Sequence, residues 1–129
     1  MMREMLRAKL HRITVTEADI DYEGSITVDA ELLDLCDMLP FEKVEVYDID
    51  NGHRFSTYLI EGEAGSGSCC VNGAAARLVT VDDRLIICAY CQVDAAEARE
   101  HRPEIVLVGE DNRPRVHKRS EAAGVRVGA

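Results

Sequence analysis

Strand-length apolar runs recur along most of the chain, and the connections between them are short. After a first run, "MLRAKLHRITVT" (5–16), come "KVEVYDI" (43–49), "RFSTYLIEG" (54–62), "SCCVN" (68–72), "RLIICAYCQV" (84–93) and "EIVLVGE" (104–110), parted by Asn-Gly, Gly-rich or Asp-Asp breaks. β-branched and aromatic residues at a two-residue period, bounded by turn formers, specify strands. Six short strands with only short helical insertions predict a mainly β chain closed into a small barrel, because closure removes edges that would otherwise pair with other molecules. The pattern alone leaves the barrel topology open. In the first run, two-residue spacing puts Met5, Arg7, Lys9, His11, Ile13 and Val15 on one face, with Lys9 and His11 as neighbours.

Three short helices are expected. "DAELLDLCDML" (29–39) has Asp29 as its cap, an apolar stripe of Leu32, Leu33, Cys36 and Leu39, and Pro40 as its stop. "GAAARL" (73–78) follows the Asn72-Gly73 break, and "DAAEAREH" (94–101) has Asp94 and Glu97 at capping-box spacing. With 47% apolar residues, a 129-residue chain buries a real core in one domain. That domain is expected over residues 1–116. From Asn112 onward there is no apolar period, and residues 117–129 read as a disordered tail.

Residues 1–111 carry 10 Lys/Arg against 23 Asp/Glu, and residues 112–129 carry 5 against 1. An acidic body repels phosphate backbones and anionic lipid, which argues against nucleic acid and membrane surfaces as partners. No apolar run reaches the roughly eighteen residues of a membrane span, and the start lacks a secretory pattern, so a cytoplasmic protein is expected. The odd count of five cysteines argues for reduced thiols. Cys88 and Cys91 lie in an apolar run without the exposed turn of a zinc knuckle, so they read as core and no metal site is expected.

Gly24-Ser25, within "IDYEGSIT" (20–27), reads first as a turn. A strained Gly-Ser link also allows another chemistry: the Ser25 hydroxyl can attack the unshielded Gly24 carbonyl, giving an ester whose elimination and hydrolysis leave a pyruvoyl group. Even spacing puts Arg54 and Tyr58 on one face of their strand, and Thr57 on the other unless the strand bulges. Lys9 and Arg54 are cations suited to an anionic ligand. The backbone N–H groups of Gly73, Ala74 and Ala75, at the start of a helical turn, suit a carboxylate. Taken one at a time, these residues read more simply as turn, packing and surface positions of a β-barrel that is not an enzyme.

As a set they resemble the pyruvoyl-dependent aspartate 1-decarboxylase family. The resemblance is carried by "MLRAKLHRITVTEADIDYEGSITVD", "NGHRFSTYLIEGEAGSG" and "VNGAAARLVTVDDRLIICAY" in order, and covers about residues 2–111, with no counterpart after Val116. It implies a six-stranded double-psi β-barrel, self-cleavage between Gly24 and Ser25 into 1–24 and 25–129, and a homotetramer with active sites between subunits. It implies decarboxylation of L-aspartate to β-alanine and CO2 for pantothenate synthesis, without pyridoxal phosphate or metal, and with or without an accessory maturation protein. By position, Ser25 becomes the pyruvoyl group that forms a Schiff base with substrate, and Tyr58 the proton donor. Thr57, Gly73, Ala74 and Ala75 become substrate contacts, Lys9, His11, Arg54 and Asn72 line the pocket, and Tyr22 stands beside the cleavage point.

Overall fold

The computed structural model describes residues 1–127. The chain runs β1 (Met2–Thr14), β2 (Glu17–Asp19), β3 (Ile26–Asp29), α1 (Ala30–Cys36), β4 (Lys43–Asp48), β5 (Arg54–Gly62), β6 (Cys69–Asn72), a 3-10 turn (Gly73–Leu78), β7 (Arg84–Asp94), α2 (Ala95–Ala98), β8 (Glu104–Val108), a 3-10 turn (Glu110–Asn112) and β9 (Pro114–Lys118). The mainly β class with short helices is as expected. The strand number is not: the described residues form nine strands in the order β2-β6-β3-β5-β4-β7-β1-β8-β9, rather than six. The additional strands β2, β3 and β9 are only three to five residues long, too short for a period to show.

The sheet curls so that the end of β1 meets β6. The Thr16 N–H donates to the Cys69 carbonyl at 2.9 Å, and the Cys69 N–H donates to Thr16 Oγ1 at 2.9 Å. Buried Asn112 ties the seam: its side chain accepts from the Thr14 N–H and donates to the carbonyls of Thr14 and Gly67. Inside the curl lies one core containing Leu10, Ile13, Ile26, Leu32, Leu59, Leu85 and Ile87, with Cys36 and Cys69 among them. The five cysteines are free, and burial pushes the Cys36 and Cys69 thiols up to about 12, as inert core residues require. No described helix is long and apolar enough to cross a membrane.

Three expectations need correction. β1 does not keep one phase: Arg12 has φ +68° and the register shifts between His11 and Ile13. A bulge adds one residue to one strand and flips the alternation, so Ile13 and Val15 are buried while Lys9 and His11 face outward. Helix α1 stops at Cys36, because Asp37 turns left-handed (φ +53°) and the Met38 N–H closes onto the Leu33 carbonyl. Met38 is therefore buried in place of the expected Leu39, which is exposed. Residues 114–118, expected to lack regular structure, form β9 along the open edge of β8.

The β4–β5 turn and the turn before β7 bring Asp48 against Asp83. Asp48 is 3% exposed, and its Oδ1 accepts from the Asp50 and Asn51 N–H groups. Burial, and then the neighbouring Asp83 carboxyl, push Asp48 up to about 6. The folded state therefore holds a proton that the unfolded state releases near pH 4, and stability falls as pH rises between about 4 and 6. Asp48→Asn removes that fall and lets an amide donate to Asp83. The variant will melt above the parent at pH 8, with a gap that narrows toward pH 4, as thermal denaturation across pH will show.

Candidate active site

Gly24-Ser25 sits where three strands meet. Ile26 pairs with Leu59 of β5 on one side and with Val71 of β6 on the other. The parallel β3–β5 register puts Ser25 and Tyr58 each one residue ahead of the Ile26–Leu59 pair. On the other side, the Asn72 N–H donates to the Ser25 carbonyl at 2.7 Å. Ser25 is buried.

Gly24 has φ +89°, and a Cβ there would stand 2.9 Å from Ile60 Cγ1. Conformation and space thus both call for glycine at this position. Gly73, at φ +63°, lies against the same peptide: a Cβ on it would stand 3.5 Å from the Gly24 carbonyl oxygen and 3.9 Å from that of Tyr22. The Asn72 side chain is buried, its Nδ2 donating to Thr27 Oγ1 at 3.3 Å and its Oδ1 accepting from Cys70 Sγ at 2.9 Å. Sequence reasoning missed that role for Cys70, although its two-residue spacing from Asn72 on β6 was visible. Ala74 is exposed, and Ala75 packs on the core. Tyr22 is exposed, and the Glu17 and Asp19 carboxylates push its hydroxyl up.

A second set of expected residues lies on the outer face of the sheet. Pairing across the strands gives one row of His11, Ile86, Tyr47 and Arg54, and another of Lys9, Cys88, Glu45 and Ser56. The Arg54 guanidinium stacks 3.9 Å over the Tyr47 ring. Lys9 and Arg54 thus stand in adjacent rows of this face, at its β1 and β5 sides. Lys9 donates to Glu121 at 2.8 Å. Burial first, then the charges of Lys9 and Arg12, push His11 down to about 4, so a neutral imidazole lies beside the cations at neutral pH.

Tyr58 joins the two sets. It is half exposed on the same β5 face as Arg54, with its ring 6.4 Å from that of Phe41, and the next residue, Leu59, pairs with Ile26, which follows Ser25. Thr57 lies on the opposite face. β5 continues regularly past it, so within one chain Thr57 is not turned toward Arg54 and Tyr58.

The sequence has known relatives. A family model described as aspartate decarboxylase matches residues 1–115. A protein of Ralstonia nicotianae named aspartate 1-decarboxylase is 56% identical over 113 residues, covering 88% of this chain and 94% of the relative. One of the same name from Thermoanaerobacter pseudethanolicus is 52% identical over 114 residues, covering 88% and 97%. A third, from Salinibacter ruber, is 56% identical over 108 residues, covering 84% and 74%. With nearly the whole barrel matched, including the Gly24-Ser25 junction and the strands around it, the chain belongs to the aspartate decarboxylase family.

Proposed function

We propose that the chain is a cytoplasmic enzyme that decarboxylates L-aspartate to β-alanine and carbon dioxide for pantothenate synthesis, after cutting itself between Gly24 and Ser25. The observation that carries this reading is the junction itself: a left-handed Gly24, packed against Gly73, ahead of a buried Ser25 whose carbonyl is held by Asn72. In the proposed maturation, Ser25 Oγ bonds to the Gly24 carbonyl carbon as the Gly24–Ser25 C–N bond breaks, and the nitrogen takes the hydroxyl proton. Loss of the Ser25 α-proton and of the Gly24 carboxylate leaves dehydroalanine. Water then enters and ammonia departs, leaving a pyruvoyl group at the head of residues 25–129.

The residues present fit that group: Gly73 adds no side chain where the new terminus lies, and Asn72 already holds the Ser25 carbonyl. When formed, the group supplies an electron-withdrawing carbonyl for decarboxylation, so neither pyridoxal phosphate nor a metal enters the proposal. Arg54 and Lys9 hold a substrate carboxylate by charge-assisted hydrogen bonds. Thr57 and the backbone of Gly73, Ala74 and Ala75 contact the substrate, with Asn72 and neutral His11 lining the pocket. Tyr58 returns a proton to the α-carbon. Lys9 and His11 hang on β1 while Ser25 leads into β3; in the proposed homotetramer the active sites lie between subunits.

Intact-mass measurement of the purified protein tests the reading. The expected result is two chains, residues 1–24 and 25–129, the second with a blocked terminus. Incubation with and without cell extract shows whether an accessory maturation protein is needed. A single 129-residue species that survives warming and extract overturns it.

A further inference from the structure

The chain leaves β9 at Lys118, and three residues later Glu121 Oε2 accepts from Lys9 Nζ at 2.8 Å. The Lys9 side chain is only 16% exposed under this contact. Beyond it, Val125 and Val127 line, with His11 and Leu107, a cavity of about 90 Å3. The hydrogen bond from Lys9 holds the Glu121 carboxyl below its ordinary range, as a formed ion pair requires. The family match ends at residue 115, so Glu121 lies outside the shared barrel.

We infer that Glu121 is an internal competitor for the substrate carboxylate and sets the affinity for aspartate, an inference that rests on reading Lys9 as a substrate contact. A glutamate side chain ends in the same group as aspartate. Each N–H of an ammonium serves one acceptor at a time, so the donor and the charge that Lys9 gives Glu121 are withdrawn from a second carboxylate. The tether is short, and short tethers hold a group at roughly millimolar effective concentration. Residues 119–126 are exposed, so the segment can lift without opening the core. Substrate then meets a site of which only the uncovered fraction is competent, and its apparent affinity drops by that fraction.

The test uses full-length, fully cleaved protein and Glu121→Gln, with Glu100→Gln as a control for the same charge change on exposed surface. Two readouts are taken. Brief acetylation followed by mass spectrometry compares Lys9 with Lys43, which serves as the internal reference. Steady-state kinetics give KM and kcat for aspartate. The expected result in Glu121→Gln is several-fold faster acetylation of Lys9, with KM about two- to tenfold lower and kcat within about twofold; Glu100→Gln moves neither. Unchanged Lys9 acetylation shows that Glu121 does not cover the ammonium and overturns the competition. Faster acetylation with unchanged KM shows that the substrate does not use Lys9, which overturns both the competition and that assignment while leaving Ser25 intact. Absence of turnover in cleaved protein overturns the enzyme reading, and the competition with it.

Discussion

Ser25→Ala will be recovered as a single folded chain that never cleaves and makes no β-alanine. The substitution removes the oxygen that attacks Gly24 and adds no bulk. The hydrogen bond from the Asn72 N–H to the carbonyl of residue 25 is made by backbone and persists, as do the pairings of Ile26 with Leu59 and Val71. Stability should therefore stay within about 1.5 kcal/mol of the parent, the scale of a single hydrogen bond. Removing a covalent catalytic group costs on the order of a millionfold in kcat, which takes turnover to background. Mass spectrometry, thermal melting and β-alanine assay check the three parts. An uncleaved Ser25→Ala protein that still makes β-alanine at the parent rate would sink the pyruvoyl mechanism.

The residues that were legible in the sequence are those whose environment is local. β5 occupies 54–62 as its alternation indicated, and its exposed Arg54, Ser56 and Tyr58 face one way because nothing interrupts the strand. Asp29 and Asp94 cap their helices as their positions suggested. What escaped depends on contacts far apart in the chain. β2 and β3 are strands because β6 lies between them, and β9 because β8 has an open edge. The bulge at Arg12 reverses the face of Ile13 and Val15 through β1–β7 pairing, which no single-strand period reveals. Asp29 also accepts from the N–H groups of Gly65 and Gly67, holding the loop before β6 at the head of α1. The Lys9–Glu121 pair spans 112 residues and joins a patterned strand to a segment without any pattern.

The same division holds at the site. Gly24 was recognisable as a position that calls for glycine, yet the packing of Gly73 against its carbonyl depends on β6 and β3 being neighbours. Lys9 and Arg54 were expected on a common face, and they stand in adjacent rows of the outer face, on β1 and β5, away from Ser25. That the candidate residues are divided between two parts of one chain follows from strand order, which alternation does not encode.

In protein already shown to cleave, Tyr58→Phe will bind aspartate nearly as well as the parent but lose about a hundredfold to ten-thousandfold in kcat, the range for removing one positioned proton donor. Tyr58 shares a β5 face with Arg54, which in the proposed mechanism holds a substrate carboxylate, and the next residue, Leu59, pairs with Ile26, one residue after Ser25, where the new terminus would lie. In the proposed mechanism its hydroxyl serves the reacting carbon beside that carboxylate, as a phenolic O–H donor. Phenylalanine keeps the ring that packs near Phe41, with centroids 6.4 Å apart, so the local fold should not change. Affinity rests on cations and backbone donors that the substitution leaves in place, and KM should therefore move much less than kcat. A packing hydroxyl on a half-exposed ring would leave both constants nearly unchanged. Steady-state kinetics separate the two roles: a kcat within about threefold of the parent in fully cleaved protein excludes Tyr58 as the proton donor.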